Sequence, residues 1–287
     1  MTKKSIYFGG LLLTALVLGS CASDDTATDK TAGKDTPKTG TVFSSEDEPS
    51  TRTSATYTGS GLDFYWTAND KIWVKDNTNK WKQSGQVTFP STTNKSEGMF
   101  ALLGAYTKTS HSVVYTNKPI SGTNIQVEIK AEQKQSAPNN FDHAGVSGDC
   151  GVAIAQKSSN GYRFTLSHKA SYLCFIPRSH NSYVNKSKLI KIEIMSDNNI
   201  AGTYKMTENG DLTYASGGSK TITVTTESGF DINDATENMN KNAVYAVVAP
   251  GTHSFRIRYW LRNTEDCPSG PIEGTVSKYV TLNCVAG

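Results

Sequence analysis

The chain has 287 residues, 29 Lys and Arg, 26 Asp and Glu and a formal charge of +3; beyond an apolar start, about 265 residues remain, enough for two domains of about 100 to 130 residues and a tail. Setting aside Lys3 and Lys4 of that start leaves 27 of the 29 basic side chains against 26 acidic ones, so no basic stripe offsets phosphate charge and no nucleic-acid partner is expected. Thr, Ser, Gly, Asn and Tyr are plentiful, no long helical period occurs, and no later apolar run could cross a bilayer, which points to an exported β-protein.

Lys3 and Lys4 precede an apolar run from Ile6 to Leu18, broken only by Gly9, Gly10 and Thr14. The run is too short to span a membrane and has the charged and apolar regions of a secretory signal, so residues 1–20 are expected to be removed. The junction Leu18-Gly19-Ser20-Cys21 resembles the lipobox of bacterial lipoproteins, where a diacylglycerol is attached to the thiol before cleavage. That resemblance implies lipidation at Cys21, with palmitate-like chains holding the mature protein on outer-membrane lipid at about 0.8 kcal/mol per buried methylene.

Residues 21–52 follow as a tail. From Ala22 to Thr51, Asp24, Asp25, Asp29, Asp35, Glu46, Asp47 and Glu48 stand against Lys30, Lys34 and Lys38, and the only bulky apolar residues are Val42 and Phe43. Such a segment cannot offset its ordering entropy and is expected to be a flexible spacer. Asp24-Asp25 resembles the acidic signal that sends lipoproteins to the cell surface in a group of Gram-negative anaerobes.

From Arg52 the pattern changes. Ala55–Tyr57 and Leu62–Trp66 alternate with the two-residue period of half-buried strands, and Thr67–Asp70 supplies turn residues before Lys71–Lys75 resumes it, which predicts a hairpin. Short strands are predicted at Gln86–Phe89, Met99–Leu103, Ser112–Tyr115 and Ile125–Ile129. A polar stretch from Ala131 to Asp149 separates these from Val152–Gln156, Tyr162–Leu166 and Ser171–Ile176. Pro177–Lys188 reads as a linker. Beyond it come Ile190–Ile194, Ile200–Tyr204, Ile222–Val224, Val244–Val248, Phe255–Leu261 and Gly274–Leu282, with a helical turn within Asp231–Lys241. Phe255, Ile257, Tyr259 and Leu261 share one face and Arg256 and Arg258 the other, so one side meets a core and the other water. About ten residues per strand favours sandwiches over alternating β and α units.

Thr51-Arg-Thr53 leading into Phe64-Tyr-Trp66-Thr-Ala-Asn-Asp70-Lys-Ile72-Trp-Val74, then Ala131-Glu-Gln133-Lys-Gln135 with Phe141-Asp142, then Phe164-Thr-Leu166-Ser-His168 with Leu173-Cys-Phe175-Ile176, resembles the fimbrillin (Mfa-like) family of type V pilus subunits. Ile190–Ile194, Ile200–Tyr204 and Tyr245-Ala-Val247-Val-Ala-Pro250-Gly251 fit its second half. The resemblance implies an all-β fold of two tandem transthyretin-like β-sandwiches, at 53–180 and 181–287, after the signal (1–20) and the lipidated tail or propeptide (21–52). It also implies surface delivery as a lipoprotein and assembly with other fimbrial subunits by donor-strand exchange. In such proteins a trypsin-like maturation protease cuts after an arginine near the first domain and removes a strand. Between Cys21 and Thr53 the only arginine is Arg52, in a reachable polar stretch; the alternative is a solvent-facing arginine opening a strand. Thr41-Val42-Phe43 is the candidate for the removed strand. Asn69 stands where the family usually has glycine, and the chain stops at Cys284-Val-Ala-Gly287 where similar proteins tend to continue into a further strand, which would suit a tip, anchor or accessory subunit.

His111, His143, His168, His180 and His253 lack metal-ligand spacing, and no nucleophile, phosphate-loop or zinc-protease motif occurs, so neither catalytic residues, nor a cofactor, nor a metal is expected. His168 reads as a hydrogen-bonded residue at a strand end, and Trp66, Trp73, Trp81 and Trp260 as core rather than sugar platforms. After Cys21, the cysteines Cys150, Cys174, Cys267 and Cys284 allow three disulfide connectivities or four free thiols; pairing 150 with 174 and 267 with 284 respects the two domains. The functional expectation is a fimbrial, adhesive lipoprotein of the outer membrane and cell surface. The alternative is a non-polymerising lipoprotein that captures a host or bacterial surface glycan, with an unrecognised hydrolase as the third reading.

Overall fold

A computed structural model describes residues 40–46, 54–57, 62–91, 95–232, 236–263, 265 and 272–287. Strands make up 55% and helix 5% of the described residues, so the all-β reading holds. In chain order the first part contributes β1 (Thr41–Ser45), β2 (Ser54–Tyr57), β3 (Leu62–Tyr65), β4 (Trp73–Lys75), β5 (Trp81–Gln83), β6 (Met99–Leu102), β7 (Ser110–Tyr115), β8 (Gln126–Ile129), β9 (Glu132–Gln135), the helical turn α1 (Ala144–Ser147), β10 (Gly151–Ser158), β11 (Gly161–Phe164), β12 (Ser167–His168) and β13 (Ser171–Phe175). The second part contributes α2 (Ser182–Asn185), β14 (Ser187–Ser196), β15 (Ala201–Met206), β16 (Leu212–Ser219), β17 (Thr221–Asp231), α3 (Met239–Asn242), β18 (Val244–Val248), β19 (Gly251–Asn263) and β20 (Ile272–Cys284).

The first sheet runs β5-β4-β7-β10-β11-β1-β6, with β12 also on β10; others run β20-β19-β14-β17-β9 and β16-β15-β8, and β13 pairs β18, as β2 pairs β3. Two cores result. The first is aromatic, with Phe43, Trp66, Phe100, Tyr162 and Phe164 buried together. The second is largely aliphatic and follows from strict alternation: Ile192 and Ile194 of β14 face inward, as do Ile257 and Leu261 of β19. Between them Glu193 sits opposite Arg258 on the wet face, its carboxylate 3.4 Å from the guanidinium. Each such buried aliphatic contributes about 1.5–3 kcal/mol.

Strand pairing does not divide at 180/181. From the earlier part, β8, β9 and β13 pair with β15, β17 and β18 of the later one, Phe64 and Phe141 join the second core, and Lys34–Gly287 is one compact unit. The polar stretch after Ala131 hides part of the reason. In β9, Gln133 and Gln135 are buried, and their amides act as a strand partner for β18. Gln133 donates to the Val247 carbonyl (2.8 Å) and accepts from its N–H (3.0 Å). Gln135 donates to the Ala243 carbonyl (2.8 Å) and accepts the Tyr245 N–H (2.8 Å). With β13 on its other side, fully buried β18 has backbone partners along both edges, as burial favours.

The hairpin expected from Leu62 to Lys75 is also different. β3 pairs with β2, and β4 pairs with β5 and β7. The turn between them is tied into the core: one Asp70 carboxylate oxygen accepts from the Thr67 N–H (2.6 Å) and hydroxyl (3.0 Å), the other from the Tyr115 hydroxyl (3.0 Å). That anchor carries the chain from one layer to the next. Asn69 is not among the non-glycine residues with positive φ, which are Asn79 and Asn139, so asparagine serves there without cost. Gln86–Phe89 forms a single bridge, Thr88 to Met99, and no strand.

Candidate functional site

β1 sits inside the first sheet although its surroundings are polar. Thr41 and Val42 favour extended backbone, Phe43 and Ser45 face inward at 0% exposure, and Val42 and Ser44 are half-buried. The spacer reading is therefore corrected for residues 41–45, where one aromatic and two sheet edges offset the ordering entropy.

On one side β1 runs parallel to β11, Phe43 opposite Tyr162 and Ser45 opposite Phe164. On the other it runs antiparallel to β6, Val42 opposite Ala101 and Phe43 opposite Phe100. Among the described residues β1 alone joins β11 to β6 in the sheet order. Without it the two edges would stand roughly 9 to 10 Å apart, twice the usual spacing, with unpaired N–H and C=O groups facing one gap.

Two pockets hold the inward side chains. Phe43 stacks on Tyr162 (centroids 4.7 Å, 10°) and meets the edges of Tyr106 (5.1 Å) and His111 (6.2 Å). Ser45 Oγ accepts from Trp66 Nε1 and from the Gly98 N–H, both at 2.8 Å. Two glycines make the fit: a Cβ on Gly161, at φ +123°, would lie 2.3 Å from the Val42 carbonyl oxygen, and one on Gly98 would lie 2.7 Å from Trp66 Cδ1. His111 Nδ1 donates to the Lys75 carbonyl at 2.6 Å. Its Nε2, and the Tyr106 hydroxyl, are buried without a hydrogen-bond partner. Burial pulls the His111 pKa down and pushes the Tyr106 phenol up to about 12, which disfavours charge on either group.

Other residues singled out in the sequence fall elsewhere. Cys21, Arg52 and Cys267 lie outside the described residues; Arg52 falls between β1 and β2 in the sequence. Cys150, Cys174 and Cys284 are free thiols, which corrects the 150–174 pairing. Cys150 is sealed in the core, whereas β13 buries Leu173 and so turns Cys174 outward. His168 is buried at the end of β12, its Nδ1 2.8 Å from Asp149 Oδ1, with the Tyr172 hydroxyl donating to the same oxygen at 2.5 Å and Phe64 stacked on the ring at 4.5 Å. Trp66 is core, Trp73 and Trp81 pack on the second core, and Lys191 Nζ covers Trp260 at 4.0 Å. Among the described residues no metal-competent group of three His, Cys, Asp or Glu converges, and no helix is long and apolar enough to cross a membrane.

Ser45, Gly98, Tyr106, His111 and Gly161 were not singled out in the sequence. Only Ser45 carried a signal: two residues after Phe43, it shares its face.

No protein-family profile and no curated protein matches the chain. Among solved structures, one from Bacteroides ovatus ATCC 8483, described as a candidate cell adhesion protein, aligns over 87% of this chain and 90% of its own with a TM-score of 0.49 and 10% identity. What fold and site define together is an all-β protein whose first sheet is closed by a short strand near its start.

Proposed function

We propose that the chain reaches the cell surface as a lipoprotein precursor, held in outer-membrane lipid through Cys21 until it is cut, and then assembles as a subunit of type V fimbriae by donor-strand exchange. A maturation protease cuts after Arg52. The observation that carries this reading is β1, five residues long, which alone bridges β11 and β6. A cut at Arg52 would leave it held only by sheet hydrogen bonds, Phe43 and Ser45. Its departure would open a slot with two unpaired edges, which a strand from another subunit fills by β-augmentation. The protein works by binding and assembly, without catalysis, and its partners are other subunits, lipid and the protease, with adhesion to cell surfaces as the outcome.

Limited trypsin digestion of the purified protein tests it. The expected result is a folded fragment beginning at Thr53 that elutes as oligomers, while an Arg52→Ala variant stays monomeric. Resistance at Arg52 under native conditions, or a cut protein that never associates, would overturn the proposal.

A further inference from the structure

We infer that the groove beside Trp260, on the solvent face of the sheet formed by β19, β14 and β17, binds a saccharide, one sugar ring lying on the indole and its hydroxyls meeting the polar wall. The site is separate from the β1 slot and needs no strand exchange; it supplies a ligand class for the adhesion proposed above.

In the sheet β20-β19-β14-β17-β9 both register shifts fall at one place. From Lys191 to Met195, and again at Lys188 and Leu189, β14 pairs with both neighbours, but Ile190 has a partner on neither side. Opposite it, residues 226–229 of β17 leave the ladder between Thr225 and Phe230. The break is closed by its own parts. Thr226 Oγ1 donates to the Leu189 carbonyl at 2.6 Å, and Gly229, at φ +78°, passes Lys188 so closely that a Cβ there would lie 2.8 Å from the Lys188 Cβ. Such mid-sheet bulges re-aim side chains and cluster beside functional sites. Here the bulge raises the wall of a groove of about 400 Å³, at the small end of the roughly 300–1,000 Å³ of small-molecule sites.

Alternation sets the floor. Tyr259 packs on the second core and Leu261 is buried, so Trp260 between them faces solvent. Across the strands Thr225, Lys191, Trp260 and Thr275 form one row. The indole is half-buried, with Lys191 Nζ 4.0 Å from the ring centroid, at the end of a flexible chain that a ligand can displace. Its Nε1–H is buried short of a full hydrogen bond, with Glu193 as the neighbouring carboxylate. Arg262 and Glu273, joined by hydrogen bonds of 2.6 and 2.9 Å, stand at one end and Glu227 at the other.

The lining selects the ligand. Apart from Trp260, Ile190 and a glycine it is polar or charged, which is too little for an apolar ligand. A phosphate finds no spare cation, because Arg262 pairs with Glu273 and Lys191 lies 3.4 Å from Glu193. A sugar suits both features: its C–H face covers an aromatic ring, and its hydroxyls donate to carboxylates and accept from guanidinium and ammonium groups.

The uncut chain tests this, so the outcome is independent of whether β1 can be exchanged. It is applied to an array of defined neutral and acidic saccharides, and the strongest binder is then titrated free in solution. Binding of at least one saccharide is expected, and Trp260→Ala should weaken it about tenfold or more, as for a central aromatic anchor. Ser228→Phe, at an exposed position of the wall, should fill the groove and weaken binding as much at an unchanged melting temperature, which separates a lost site from a lost fold. Tyr214→Ala, removing an exposed aromatic of β16 outside the groove, should change nothing. An array without a bound saccharide, or binding that survives either Trp260→Ala or Ser228→Phe, would overturn the inference.

Discussion

β1 and β20 are opposite solutions to joining a sheet. β20 pairs thirteen residues with β19 and buries one side chain among those described, whereas β1 is five residues long and joins two strands through a fully buried Phe43 and Ser45. Length of pairing and depth of anchoring are therefore separate properties. A long strand without buried side chains is held by backbone hydrogen bonds, each worth only about 0.5–1.5 kcal/mol net. A short one set among aromatic rings is held by packing, so losing it exposes a core.

Phe43→Ala should break this contrast most strongly. Emptying a pocket ringed by Tyr106, Tyr162 and His111 should cost about 3–5 kcal/mol in denaturant unfolding of the uncut chain, and a loss under about 1 kcal/mol would mean that β1 is not packed as described.

Acid acts on the buried interior and so on the anchored regions. Burial pulls the His143 pKa down to about 4 from the ordinary histidine value of about 6.5. The unfolded chain then binds the extra proton first, so stability is present above pH 6.5 and is lost as pH falls through that window to about 4, by up to about 3 kcal/mol. His111, beside Phe43, adds a loss of the same sign. Unfolding titrations should show the slope, and His143→Gln should flatten it; an unchanged slope would contradict this assignment.

Ser45→Ala should come next. It leaves Trp66 Nε1 and the Gly98 N–H without their acceptor, at about 1–3 kcal/mol, and Ser45→Thr, keeping the oxygen, should recover part of that. At the other end of the scale, Tyr279→Ala in the uncut chain should change stability by no more than about 0.5 kcal/mol, despite removing a large aromatic. A loss comparable to that of Phe43→Ala would show that β20 is anchored after all.

Much of this was legible where burial is one-sided. Ile190–Ile194 and Phe255–Leu261 alternate cleanly, and the structure uses those alternations in β14 and β19. At β1 the acidic composition pointed to a spacer, whereas the apolar patch Thr41-Val42-Phe43 marked the strand, whose aromatic partners lie far along the chain. Gln133 and Gln135 lay in a stretch that read only as polar, since their bonds to β18 span more than 100 residues. The hairpin expected from Leu62 to Lys75 failed for the same kind of reason: the Tyr115 hydroxyl holding Asp70 is a tertiary contact that no local pattern announces. The orphaned atoms around Phe43 need three-dimensional placement to be seen at all.

The central claim, that β1 is a replaceable strand whose slot drives assembly, is tested most directly by locking it in place. Val42 and Ala101 are directly opposed in the antiparallel pair of β1 and β6, a placement whose Cα separation of about 4.5–5.5 Å lies within disulfide reach. The account predicts that a Val42→Cys, Ala101→Cys protein, oxidised and then cut after Arg52, stays monomeric until reductant is added and then assembles; assembly of the oxidised protein at the wild-type rate would contradict it.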